Sequence, residues 1–222
     1  MDLIPVNLIT GFLGVGKTTA VRHLLATHPP DEKWAVLVNE FGEVGVDGAL
    51  LAEQGVVVQE VAGGCLCCVA APAFTTGLNR VIRQHRPDRI LIEPSGLGHP
   101  AQVLDTLSGP LYAGTLEVRA TVCLMDARHL SSPRHREHQN FQDQIHLSDV
   151  LVSNTADLYT ADDFQAFENF ASQVLPAKDK IACVEQGMVD PAWLDLGRSA
   201  RRQAAFPEAH AFLVESDAAR SP

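Results

Sequence analysis

No run of about 18 or more apolar residues occurs anywhere in the 222-residue chain, which excludes a transmembrane helix. The opening Met1-Asp2-Leu3-Ile4-Pro5 carries no basic residue, so the n-region of a secretory signal is missing and a cytoplasmic protein is expected. Positive charge is also scarce. Seventeen Lys and Arg stand against 27 Asp and Glu, a net charge of −10, so neither a nucleic acid nor an anionic membrane is expected as the main partner. Cysteines number only five, and in a reducing compartment they stay thiols unless they bind metal or do redox chemistry. No internal repeat or low-complexity tract is present. What remains is 46% hydrophobic and 20% charged, the balance of a soluble globular protein, with length enough for one large α/β domain.

The stretch Gly11-Phe12-Leu13-Gly14-Val15-Gly16-Lys17-Thr18-Thr19 fits G-x-x-x-x-G-K-[ST] without mismatch. The apolar-rich run Leu3 to Ile9 before it reads as a strand, and Thr18, Val21, Leu24 and Leu25 after it have helical spacing. A strand, a glycine-rich loop and a helix N-terminus form an anion site. Backbone N–H groups and the positive helix end face the phosphates, Lys17 reaches the β and γ oxygens, and the Thr18 hydroxyl can bind Mg²⁺. Gly11, Gly14, Gly16, Lys17, Thr18 and Thr19 are thus the expected phosphate-binding set.

Further strands are expected at Trp34 to Val38, Val56 to Val61, Arg89 to Glu93, Leu116 to Met125, Val150 to Ser153 and Lys180 to Val184. Helical spacing covers Phe74 to Gln84, His138 to Leu147 and Asp162 to Leu175. This alternation predicts an α/β fold with a doubly wound, mostly parallel sheet of the P-loop type. Right-handed crossovers then place Gly11 to Thr19, Asn39 to Gly48, Glu93 to Gly98 and Asn154 to Asp157 along one edge of the sheet, where ligands bind. The acidic, glycine-punctuated Asn39 to Gly48 is either a nucleotide-sensing switch or a plain connection.

Glu93 closes an apolar strand as a Walker-B carboxylate does, and it can hold Mg²⁺ or its water opposite Thr18. Gly96, with no Cβ in the way, lets a backbone N–H approach the γ-phosphate. Asn154-Thr155-Ala156-Asp157 looks like a base-recognition loop of the N-K-x-D type with the lysine replaced. An aspartate there accepts from guanine N1–H and its 2-amino group, whereas adenine would leave polar groups unpaired. Thr155 lacks a long aliphatic stem to cover the base, so guanine preference with weaker affinity is expected. The alternative is a capping role, which suits both Asp157 and Thr160.

Cys65-x-Cys67-Cys68 sets three of the five cysteines within four residues behind Gly63-Gly64. Thiols so close rarely form a strain-free disulfide with one another, but together they supply soft ligands for Zn²⁺ and leave one tetrahedral position open. Glu43, Glu40 or a histidine is available as a fourth ligand; a buried thiol cluster is the alternative. Cys123 and Cys183 lie inside apolar runs and read as core residues. Of His129, His135, His138 and His146, the pair His135 and His138 can share a metal if helical, or all four are simply solvated.

Together these residues resemble the CobW family of P-loop GTPases, relatives of the nickel-insertion GTPases of hydrogenase and urease maturation. The resemblance rests on Gly11 to Thr19, Asn39 to Asp47, Gly63 to Cys68, Glu93 to Gly98 with His99-Pro100, and Gln139 to Leu158; it extends from about Leu3 to about Val184. It implies GTP hydrolysis to GDP and phosphate, coupled to binding and delivery of a metal, commonly zinc or cobalt and here zinc as the first expectation, to a client protein, with GTP/GDP, Mg²⁺ and Zn²⁺ as ligands. It also implies that Asn39 to Asp47 switches between nucleotide and metal. A zinc sensor or store that regulates a partner without delivering metal is the competing function, and a homodimer is an open option. Thr155 stands where the family usually has lysine. The expected organisation is a GTPase domain over residues 1–187 and an extension over 188–222, with the family's smaller C-terminal domain absent or cut short. Replacing Cys67 by Ala should lower zinc affinity while leaving nucleotide affinity nearly unchanged, as read by paired zinc and GTP titrations; unaltered zinc affinity would make the cluster mere packing.

Overall fold

The computed structural model describes residues 2–38, 56–61, 72–96 and 100–198. Short β-branched and aliphatic runs form eight strands there: β1 (Ile4–Gly11), β2 (Trp34–Val38), β3 (Val57–Glu60), β4 (Arg89–Glu93), β5 (Leu116–Val118), β6 (Val122–Met125), β7 (Val150–Ser153) and β8 (Lys180–Cys183). They make one sheet in the order β3-β2-β4-β1-β6-β7-β8, with β5 beside β1. Every ladder is parallel. The α/β, mostly parallel architecture is therefore as expected.

Strand alternation sorts side chains onto two faces. Ile9, Val36, Val38, Leu91, Leu124 and Val152 point to one face, which α1 (Lys17–Thr27) covers with Val21, Leu24 and Leu25. Each of these buried aliphatics contributes about 1.5–3 kcal/mol relative to exposure. Leu8, Leu37, Ile90, Ile92, Cys123 and Leu151 point to the other. That side is covered by α2 (Pro72–His85), α3 (Pro100–Ser108), α5 (Gln139–Leu147) and α6 (Ala161–Gln173). The short α4 (Pro133–Arg136) precedes α5 and buries no residue. Helices on both faces hide a sheet whose central strands are apolar on both sides.

One expected strand is two. Leu116 to Met125 divides at residues 119–121, because β5 pairs with Ile4–Val6 while β6 pairs with Ile9–Gly11 of the same strand β1. The break is pinned by Arg119, whose N–H bonds Val6 O at 2.9 Å, and by Thr121, whose N–H bonds Asp149 Oδ2 at 2.7 Å. Cys183 is also corrected: it is exposed on β8, a strand at the end of the sheet order. Cys123, by contrast, is buried in the core as expected, its thiol pushed up to about 12 by that burial.

Val189 and Leu194 join the core that α1 covers. A 3₁₀ turn at Pro191–Asp195 returns the chain to the sheet, where Asp195 pairs with Arg89 and Gly197 bridges Arg119. Asn7 is the hub of this contact, since its Nδ2 donates to Ala120 O at 2.9 Å and Leu194 O at 2.8 Å. Its Oδ1 accepts from Arg89 Nη1 at 2.7 Å. Replacing Asn7 by Leu would strand buried partners on three elements, so chemical denaturation should show a loss of about 2–4 kcal/mol.

Candidate functional site

Strands β1, β4, β6 and β7 end on one edge, with Leu8 beside Ile92 and Met125 beside Ser153 in register. Polar residues appear where the apolar runs stop. Gly16 takes φ +87° ahead of α1, a conformation that glycine adopts without strain, and it supplies no capping side chain to the helix. The first-turn N–H groups therefore face the loop, as an anion site requires.

Lys17 is 8% exposed, and its Nζ donates to Phe12 O at 3.1 Å within the same loop. Next to it, Thr18 Oγ1 donates to Glu93 Oε1 at 2.7 Å, joining α1 to the end of β4. A hydroxyl and an 8% exposed carboxylate in contact are a pair of hard oxygen donors, a set that fits Mg²⁺. Gly96 closes against the phosphate loop, since a Cβ placed there would stand 2.8 Å from Leu13 N and 2.9 Å from Lys17 Nζ. Gly14 in the loop and Thr19 in the first turn of α1 are exposed.

Asn154 is 2% exposed and joins the two loops. Its Nδ2 donates to Val15 O at 3.0 Å, and its Oδ1 accepts from Gly187 N–H at 3.0 Å. This amide thus fastens the phosphate loop to the turn after β8, an arrangement that sequence spacing did not disclose. Asp157 lies in a 3₁₀ turn, Ala156–Leu158, and is exposed. The capping expected of this region falls to Thr160, which forms a capping box with Asp163 at the start of α6. Thr155 is held at φ +61°.

Several groups at this edge had no role assigned from the sequence. Tyr159 donates its hydroxyl to Asn154 O and accepts from Ala127 N–H at 2.8 Å. Burial raises its pKa. Asp126, 5% exposed, is paired with Arg128 at 2.6 Å. Burial pushes the Asp126 carboxyl up, but hydrogen bonds and charge from Arg128 outweigh it and hold the group below its ordinary value. Gln144 on α5 donates to Gly96 O at 2.9 Å.

Among the described residues, His129, His135, His138 and His146 do not assemble a metal site. His129 and His135 stack with centroids 4.3 Å apart and planes 6° apart, so their in-plane lone pairs run side by side rather than toward one ion. His138 sits outside α4, accepts from Asn140 N–H and caps α5. Both His135 and His138 meet the Phe12 ring edge-on. Among the described residues no group of three His, Cys, Asp or Glu is placed to hold a metal. Cys65, Cys67, Cys68, Glu40, Glu43 and the whole Asn39 to Gly48 segment lie outside the described residues.

Residues 5–182 match the pattern of the CobW/HypB/UreG nucleotide-binding domain. The chain belongs to the CobW/HypB/UreG family. It is 50% identical over 192 residues to the zinc chaperone YeiR of Escherichia coli K12, covering 86% of this chain and 58% of that protein. Identity to the zinc chaperone CobW of a Sinorhizobium species is 30% over 219 residues, covering 86% and 62%. The crystal structure of Zn(II)-bound YjiA GTPase from E. coli superposes with a TM-score of 0.65 at 26% identity, covering 87% of this chain and 61% of that one. HypB from Helicobacter pylori, solved with nickel, has a TM-score of 0.54 at 16% identity and shares the fold. The chain thus spans about three fifths of the length of the two zinc chaperones. No described helix is long and apolar enough to cross a membrane. Within this nucleotide-binding domain, Gly96→Ala should weaken nucleoside triphosphate binding by roughly tenfold or more, because the added methyl must displace the loop backbone; calorimetric titration against wild type measures it.

Proposed function

We propose that this chain hydrolyses GTP and uses the cycle to bind Zn²⁺ and deliver it to a client protein. The observation that carries the reading is the 2.7 Å contact between Thr18 and Glu93 at the mouth of the phosphate loop. Gly11, Gly14 and Gly16 with the first turn of α1 cradle the phosphates, and Lys17 exchanges its bond to Phe12 O for the β and γ oxygens. Thr18 and Glu93 hold Mg²⁺, which when bound neutralises charge developing between the β- and γ-phosphates. The Gly96 N–H meets the γ-phosphate. Asn154 keeps the base loop in register with the phosphate loop, and Asp157, exposed in the 3₁₀ turn after β7, accepts from guanine.

Zinc is the cargo. Cys65, Cys67 and Cys68 supply the thiolates, with Glu43 as a further ligand, and the GTPase unit runs past the expected boundary at residue 187, since Val189 and Leu194 belong to its core. Support comes from the relatives, since YeiR and CobW are named zinc chaperones and a YjiA GTPase was solved with Zn(II). Shifting an ion from 99% held to 99% released requires the two nucleotide states to differ by about 5.5 kcal/mol in zinc affinity. Linkage is reciprocal, so zinc must alter the GTP-to-GDP preference by the same factor. A cytoplasmic place of work, where GTP is abundant and thiols stay reduced, accords with this chemistry.

Hydrolysis without an activator should be slow, on the order of 10⁻⁴ s⁻¹. The test is transfer of bound zinc to an apo-acceptor. Transfer should be fast with GTP, slow with a non-hydrolysable analogue and slow with ATP. Equal rates with no nucleotide would sink delivery, and a preference for ATP would sink the role of Asp157.

A further inference from the structure

Gln144 is the polar exception on the inward side of α5. Helical spacing sets it with Phe141, Ile145 and Leu147, all buried, and Gln144 itself is 1% exposed. A carboxamide buried without hydrogen bonds destabilises a core, so an aliphatic residue would be the undemanding choice here. Its Nε2 instead donates to Gly96 O at 2.9 Å, across 48 positions of sequence.

Gly96 is the residue whose Cβ position stands 2.9 Å from Lys17 Nζ and 2.8 Å from Leu13 N. Three positions earlier, Glu93 is set by the sheet, where it pairs with Val38 of β2. Pro94-Ser95-Gly96 is therefore a short span held at both ends, by the ladder at Glu93 and by α5 at Gly96. Proline at its start removes a further backbone rotation. With both ends fixed, the distance between the Gly96 backbone and Lys17 is fixed as well.

We propose that Gln144 is a positioning residue for the γ-phosphate. It holds Gly96 so that the Gly96 N–H and Lys17 meet the same terminal phosphate. This rests on the GTPase reading and adds to it a residue outside the phosphate loop, the Walker-B strand and the base loop. A diphosphate has no group at that place. Gln144 therefore acts on the triphosphate and on the transition state, and leaves the base and the inner phosphates alone.

The test replaces Gln144 by Met, which keeps the length and loses the donor. Wild type and Q144M are titrated with GDP and with a non-hydrolysable GTP analogue in Mg²⁺, and their single-turnover hydrolysis is timed. Loss of one positioned hydrogen bond should weaken the analogue by about tenfold and slow hydrolysis by a similar factor, with GDP affinity kept within about twofold. Equal weakening of both nucleotides, or no change in either, overturns the proposal, the first by making Gln144 a packing residue only. A wild-type protein that binds neither nucleotide refutes the GTPase reading itself. Should Q144M fail to fold, the wild type still decides: the Gln144 side-chain amide resonance must move between the GDP and analogue complexes, and coincident signals overturn the proposal.

Discussion

One buried carboxamide holds the ligand edge of this molecule together. Asn154 donates to the phosphate loop at Val15 and accepts from Gly187 beyond β8, while its own carbonyl receives the Tyr159 hydroxyl. A buried amide is costly unless its donors and acceptor are used, and here both ends are bonded to loops that share no strand pairing with one another. The phosphate loop's position is thereby tied to that of the loop after β7. Gly16 belongs to the same constraint, since a Cβ at that position would stand 2.4 Å from Asn154 Nδ2. The glycine that opens α1 is thus dictated twice, by its positive φ and by the amide lying against it.

The opposite edge of the sheet is built on the same plan with different residues. Asn7 joins two carbonyls to Arg89, and Arg89 lies over the Trp34 ring at 5.3 Å from its centroid while pairing with Asp195. Both networks place a polar side chain at the heart of an apolar sheet and satisfy it through backbone from distant segments. Such networks give a fold one register rather than many, because any slip leaves their groups unpaired. The residues around Val189 and Leu194 are held by this second network and by the core beneath α1.

Much of this arrangement was legible in the chain. Trp34–Val38, Arg89–Glu93 and Val150–Ser153 are short apolar runs bounded by polar residues, and each is a strand over that very span. Thr18 and Glu93 belong to motifs whose spacing encodes the contact, so their meeting could be expected from residues 75 apart. Tyr159 and Gly187 belong to no such motif, and Gln144 lies within the Gln139 to Leu158 stretch without a spacing that assigns it a partner. Their bonds depend on how α5 and the turns after β7 and β8 cross the sheet edge, which local periodicity does not contain. The break between β5 and β6 was hidden for a related reason. Both halves are strand-like, and only their competition for successive parts of β1 separates them. Cys183 misled because an apolar run reads alike in a central strand and in one at the end of the sheet.

Thr155 shows what such bonding accomplishes. A β-branched residue at φ +61° is intrinsically disfavoured, and no side-chain cap hydrogen bond from Thr155 stabilises the turn that follows. The shape is imposed by neighbours: Ala156 N–H is bonded to Val184 O, and Tyr159 grips the peptide before. A loop moulded in this way has already surrendered its freedom when the chain folds. A ligand that seats against a loop already shaped in this way loses little affinity to ordering it.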